Sequence, residues 1–249
     1  MLLGSLIHRL ILDDGTISEK YHPLDFGKRR GTKECQALEE RGITPVPHNL
    51  WMRAKYAAWA VEYNKRANNL IRAAKRVGDV EKRLQAEVVL GDTEIEVNGV
   101  FDATFTDEKG FFIVDVKTCS KMPLKSEFIK KIRDGGMGMK AAAYMMIADY
   151  NQLKKADGNN WFVWIFVSTT SPFEVRVVYA AADDRIIAEG EVDFWAALEK
   201  FRWIQSQDEI PDERGTHDGI DLSEIWYEKA LYSTVANQPT QPESEFDDE

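Results

Sequence analysis

Residues 98–118, reading NGVFDATFTDEKGFFIVDVKT, hold two aspartates and a lysine at a spacing that could support metal-assisted chemistry. If Asp107-Glu108-Lys109-Gly110 closes a four-residue hairpin loop, Thr106 pairs with Phe111 and Asp102 stands directly opposite Asp115 on the same face. Opposed Cβ atoms lie about 4.5 to 5.5 Å apart, and two carboxylates that close repel unless something positive separates them. A divalent cation would do so. The two-residue period of a strand puts Lys117 on the face of Asp115, so a fixed ammonium stands beside the ion. Two carboxylates and an amine around a hard metal suit phosphodiester hydrolysis.

These residues need elements to position them. Residues 2–12 read as a helix or helix-to-strand element, and 13–46 as a polar, loop-rich stretch ending at Pro45, Pro47 and Asn49. Asn49 is a plausible N-cap for one long helix reaching Val77. Three strands, 85–90, 94–106 and 111–117, follow as an antiparallel meander with the motif on the last two. Residues 125–150 are helical in composition but broken at Gly135, Gly136 and Gly138, with 139–150 the stronger piece. Strands 161–168 and 173–180 precede a final helix, 183–205, which turns Ile186, Ile187, Val192, Trp195, Leu198 and Phe201 toward a core. This order predicts an α/β fold, a central mixed β-sheet flanked by helices. One domain is expected over 1–230, with a helical part at 1–80 and a motif-bearing core at 81–205. The acidic stretch 231–249 lacks a core-forming pattern and is expected to be disordered.

Composition sets the outer bounds. A chain of 249 residues with 44% hydrophobic content and seven Trp can bury a substantial core. Cys35 and Cys119 are too few for a four-cysteine metal site or a disulfide framework, which makes a reducing cytoplasm the simplest compartment. The apolar opening is interrupted by His8 and Arg9 and is too short for a membrane span. The net charge of −10 would argue against a nucleic-acid partner if it were evenly spread. It is not: residues 1–149 hold 24 basic against 21 acidic side chains, and 150–249 hold 8 against 21. Basic clusters that could neutralise phosphates include Lys28, Arg29, Arg30 and Lys33, a second group at 53–76, and Lys121 with the lysines that follow. Each could also be an ordinary solvated face.

Four short matches in chain order make the sequence resemble the PD-(D/E)xK nuclease superfamily, in its RecB-like branch with the RecE-type exonuclease VIII proteins of phages and prophages. Gly4-Ser5-Leu6-Ile7-His8 looks like GxxxH, Gly99-Val100-Phe101-Asp102 like GxxD, and Asp115-Val116-Lys117 like DxK. Lys140-Ala141-Ala142-Ala143-Tyr144 falls where the family has QxxxY, with lysine in place of the glutamine. With KRRGTKECQALEERGITPV also similar, the resemblance covers about residues 1–205.

The resemblance implies a restriction-endonuclease-like core. Asp102, Asp115 and the Val116 carbonyl would bind one or two Mg²⁺ or Mn²⁺ ions, with His8 or Glu87 completing the shell and Lys117 acting in catalysis. Lys140 and Tyr144 would face the nucleic acid or active site. It further implies an exonuclease acting on double-stranded DNA ends, digesting 5′ to 3′ and leaving 3′ single strands for recombination. Such enzymes often form homo-oligomeric rings and work with a single-strand annealing protein. Two alternatives stay open: an endonuclease on the same fold, and a catalytically weak DNA-binding recombination subunit, suggested by Lys140 and by the few residues ahead of His8.

Overall fold

The structure is a computed structural model that describes residues 2–12, 16–28, 31–155 and 158–206. It divides into two compact units, Met1–Phe194 and Trp195–Glu249. The first begins with α1 (Leu2–Leu12), α2 (Ile17–Lys20), β1 (Tyr21–Pro23), α3 (Lys33–Glu40) and β2 (Thr44–Val46). Here the stretch expected as loop carries structure: β1 and β2 pair in parallel, and Thr32 caps α3 by accepting the Cys35 N–H. Next come α4 (His48–Tyr63) and α5 (Lys65–Val77), two helices where the sequence suggested one. The break is at Asn64, which leaves helical geometry at ψ 108° and turns its side chain to accept the Ala67 N–H, so capping a second helix.

Strands β3 (Asp79–Leu90), β4 (Thr93–Asp107), β5 (Gly110–Cys119), β6 (Asn159–Ser168) and β7 (Val175–Ala181) form one sheet in that order. All neighbours are antiparallel except β5 and β6, which run parallel. That pair needs a crossover. A 3₁₀ turn, α6 (Phe128–Asp134) and α7 (Met137–Tyr150) supply it, and α8 (Arg185–Gln205) follows β7, beginning in the first unit and ending in the second. The fold is thus α/β, a central mixed sheet flanked by helices. Phe201, expected in a core, is exposed. Arg29, Arg30 and residues 231–249 lie outside the described residues. No helix among the described residues is long and apolar enough to cross a membrane.

Each sheet face has its own core. Phe105, Phe112, Val114 and Val116 pack with residues of α1, α4 and α5, while Phe101, Phe111, Ile113 and Phe166 pack with residues of α6 and α7. Covered on both faces, β5 and β6 read as nearly unbroken apolar runs, the expected pattern for central strands. Asp115 is the one charged residue within the buried part of β5. On the α7 side, a Cβ on Gly190 of α8 would lie 2.2 Å from backbone atoms of Gly138. Alanine would gain about 1 kcal/mol in helix propensity at Gly190, but overpacking costs about 1–3 kcal/mol, and here the obstacle is backbone rather than a movable side chain. Gly190→Ala should therefore lower the urea midpoint; an unchanged or raised midpoint would show that the two helices part freely.

Candidate active site

The site forms where the β-ladder opens. β4 and β5 pair from Asp107–Gly110 to Ala103–Val114, the anticipated register, although the turn is tighter than expected because Asp107 and Gly110 themselves pair. The Asp107 carboxylate accepts the Lys109 and Gly110 N–H groups and closes that turn. Continuing the register opposes Asp102 to Asp115, but pairing stops one step before them. There the Asp102 side chain takes over: its Oδ2 accepts the Val116 N–H at 2.7 Å. The β3–β4 ladder also skips a step, passing from Lys82–Phe101 to Val80–Ala103. Glu81, at the skipped position, has φ 52°.

This local break corrects the expectation of simple alternation. Gly99 and Phe101 pack toward α7, yet Ala103 and Phe105 pack toward α1, α4 and α5, so the pleat changes side at Asp102. One residue is skipped on each strand, Glu81 and Asp102, without a shift of register, and the left-handed backbone of Glu81 accompanies the change of side. Asp102 therefore points into the gap between strands instead of lying flat beside Asp115.

His8 reaches Asp102 from α1. Its Nε2 lies 2.7 Å from Asp102 Oδ2. The glycine of GxxxH explains how: a Cβ on Gly4 would come within 3.0 Å of Thr118 Oγ1, so Gly4 lets the first turn of α1 close on β5 and presents His8 one turn later. Asp102 is only 7% exposed. Burial would raise its pKa, but the His8 contact, the Val116 N–H and the nearby Lys140 outweigh it and hold the carboxyl below its ordinary value. Its contribution to stability is then present above the unfolded carboxylate pKa and is lost as pH falls through the folded one. His8→Ala should move the Asp102 titration upward, because burial then meets less opposition. Carboxyl-carbon NMR reads this directly, and an unmoved titration would contradict the assigned partner.

Asp115 is 1% exposed and is held by two ammonium groups. Lys117 Nζ lies 2.7 Å from Oδ2 and 2.9 Å from Oδ1, and Lys140 Nζ lies 2.8 Å from Oδ1. Both lysines direct their hydrogen bonds at Oδ1, which leaves the buried Oδ2 in ion-pair contact with Lys117 but without a hydrogen bond. Lys140 is itself pulled two ways: burial favours its neutral form, while Asp115 favours the charged form and prevails, so its pKa is raised.

Tyr144 has a supporting place. It is 9% exposed, donates its hydroxyl to the Val100 carbonyl at 2.8 Å, and stacks on Phe101 at 4.3 Å between ring centroids. A Cβ on Gly99 would meet its ring at 3.0 Å. The glycine of GxxD is thus needed by the tyrosine of the fourth motif, and Tyr144 braces the strand carrying Asp102. Lys140 Nζ sits 4.8 Å over the same ring. Tyr144 thus points inward, whereas Lys140 lies at the site on Asp115 with its side chain partly exposed.

The remaining candidates are scattered. Glu87 is exposed on β3 opposite Glu96, six residues from the position facing Asp102, or about 20 Å at strand rise. That separation corrects its expected role at the metal. The acid that β3 does bring is Glu81, ion-paired with Arg9; the register from the Gly91 turn would have found it, had the strand been extended back to Asp79. Lys28 is engaged with Glu34 at 2.9 Å and Asp25 at 3.0 Å, and Lys121 is exposed just beyond β5. A cleft of about 490 Å³, lined by His8, Arg9, Glu81, Val116 and Lys117 among others, opens beside the partners of the two carboxylates, although neither Asp102 nor Asp115 lines it.

The donor chemistry suits a hard cation. His8 Nε2 and Asp102 Oδ2, 2.7 Å apart, are a nitrogen and an oxygen donor of the kind that could help hold such an ion. Asp115 Oδ2, buried and 2.7 Å from Lys117 Nζ, is a further carboxylate oxygen donor. Yet among the described residues no group of three or more His, Cys, Asp or Glu is gathered closely enough to hold an ion as it stands. The positive charge at Asp115 is supplied by lysine.

No family model matches the chain, and no curated protein does. Among solved structures, a protein of Eubacterium rectale provisionally described as an exonuclease is similar at 12% identity and TM-score 0.43, over 71% of this chain and 65% of its own. A second, SSO0001, is similar at 11% identity and TM-score 0.29, over 66% of this chain and 61% of its own. The chain therefore spans less than two thirds of either protein's length, and similarities this low carry no argument about its chemistry.

Proposed function

We propose that this chain is a metal-dependent deoxyribonuclease with a restriction-endonuclease-like core that acts on the ends of linear double-stranded DNA. The observation that carries the reading is Asp115, a carboxylate buried in an apolar strand, with Asp102 at the next opposed position of β4, Lys117 beside it and His8 on Asp102. Burying a carboxylate is costly even when it is paired, so fold stability alone gives no reason for this arrangement.

Asp102, Asp115, the Val116 carbonyl and His8 would hold Mg²⁺ or Mn²⁺, whose contribution when bound is Lewis acidity toward water and phosphate. The Val116 N–H fixes the Asp102 carboxylate in one orientation, and His8 Nε2, now on Asp102, would have to turn from it to the ion to act as a ligand. Lys117, at the wall of the open cleft, is placed to position the attacking water or to offset charge growing on the phosphate. The resemblance supports 5′ to 3′ digestion leaving a 3′ strand for a single-strand annealing protein, and a homo-oligomeric ring. A second reading, a DNA-binding subunit with weak catalysis, draws support from the Lys140–Asp115 ion pair, which competes with a cation for the same oxygen.

One gel separates the possibilities. Purified protein with Mg²⁺ should degrade end-labelled linear duplex and leave covalently closed circles intact. Digestion of closed circles would replace the exonuclease with an endonuclease, and no digestion of any substrate in Mg²⁺ or Mn²⁺ would favour the binding subunit.

A further inference from the structure

A second concavity lies on the other side of α1. Gly4, Ser5, His8 and Arg9 line the cleft beside the carboxylates, whereas Leu10 and Ile11 form the floor of a groove of about 440 Å³ between α1, α4 and α5. Lys55, Trp59, Arg72 and Lys75 line its walls, and Glu62 is the acidic residue among its lining. α5 adds to this charge: its sequence KRANNLIRAAKRV contains five basic residues and no acid, and its apolar face of Ala67, Leu70, Ile71 and Ala74 is spent on the core. The cationic face therefore looks outward.

Aromatic rings accompany the charge. Tyr56, Trp59 and Tyr63 recur at helical spacing along α4, with Trp59 41% and Tyr63 87% exposed. Tyr56 meets Trp59 edge-on at 5.5 Å, and Lys55 Nζ lies 5.3 Å from the centre of the Trp59 ring. Tyr56 packs on Phe173 at 5.8 Å, whereas Trp59, 41% exposed, lines the groove beside a cation, a position that core packing does not require. A negatively charged partner with flat, unpaired rings would use both features: phosphates on the cations and bases on the aromatics. A duplex would not, since its base faces are stacked on one another.

We propose that the groove between α1, α4 and α5 is a docking surface for single-stranded DNA, with a base stacked on Trp59 and phosphates held by Lys55 and Arg72. The proposal rests on the nuclease reading only for the source of that strand: α1 is the common wall, so a strand left by digestion in the cleft need only cross one helix to reach the groove.

The test is binding of fluorescein-labelled oligothymidylate to the full chain in EDTA, by anisotropy, with a blunt duplex of equal length alongside. Trp59→Ala should weaken oligothymidylate binding about 5- to 100-fold, Trp59→Phe should largely restore it, and duplex binding should hardly change. Lys55→Gln and Arg72→Gln should each reduce the slope of log affinity against log salt by about 0.7. Oligothymidylate affinity and salt slope unchanged in these variants, with melting curves like the parent's, would overturn the proposal. Linear-duplex digestion in Mg²⁺ is read in parallel. Trp59-dependent binding without digestion leaves the groove standing and removes the nuclease, whereas digestion with Trp59-independent binding removes the groove and leaves the nuclease.

Discussion

Asp115→Asn should abolish cleavage of linear duplex, and Lys117→Ala should abolish cleavage while sparing divalent-cation binding. The two losses differ in kind. Asp115 is a charged oxygen donor at the centre of the site, so its amide removes both the cation's ligand and the group that fixes two lysines. Lys117 is a neighbour that can act on water or phosphate without holding the ion. Removing one preorganised electrostatic group at a reacting centre costs about 10² to 10³ in rate, and loss of a ligand costs at least as much. The asparagine variant should still fold. Breaking a fully buried ion pair costs about 3–5 kcal/mol, but Lys117 and Lys140 both keep contact with water and can solvate their freed charge. Steady-state digestion of end-labelled duplex, with calorimetric titration of Mn²⁺, checks both variants. Residual cleavage near the parent rate in either would overturn the assignment.

Lys140→Gln should tighten divalent-cation binding about tenfold or more. Lys140 stands where the resembled family has glutamine, and its ammonium lies 2.8 Å from Asp115 Oδ1. A cation arriving at Asp115 must displace or repel that charge. Two unit charges 4 Å apart interact by about 4 kcal/mol at an effective dielectric constant near 20, and the partial exposure of Lys140 screens part of that. Glutamine keeps much of the side-chain length over the Tyr144 ring and offers a neutral amide. Titration calorimetry with Mn²⁺ reads the change, and unchanged or weaker affinity would mean that Lys140 does not compete with the ion. If the variant also cleaves faster, lysine restrains the site; if it cleaves more slowly, lysine takes part in the reaction.

Much of this arrangement was legible from residue order. The hairpin register follows from the turn residues Asp107 to Gly110, because each step along an antiparallel pair is fixed once the turn is fixed. His8 could be placed near Asp102 only through the resemblance, since contact between α1 and β4 is a tertiary fact. The side switch at Asp102 was not legible. It depends on Glu81 adopting a left-handed backbone, a conformation with no residue-type signature in a glutamate. Glu81 lies ahead of the strand that alternation marks from residue 85, because the first half of β3 has half-buried charged positions on both sides. The division of one helix into α4 and α5 turns on a single asparagine that helical periodicity passes over. The groove beside α1 was visible only as a run of basic residues, since its aromatics sit on a different helix and only the fold sets them beside α5.

The central claim is that the two carboxylates form a cation site, and anomalous diffraction from crystals soaked in Mn²⁺ tests it most directly. The account predicts a peak within coordination distance of both Asp102 and Asp115, with the Lys140 ammonium moved away from Asp115 Oδ1. No peak at saturating Mn²⁺, with Lys140 and Lys117 still seated on Asp115, would contradict it.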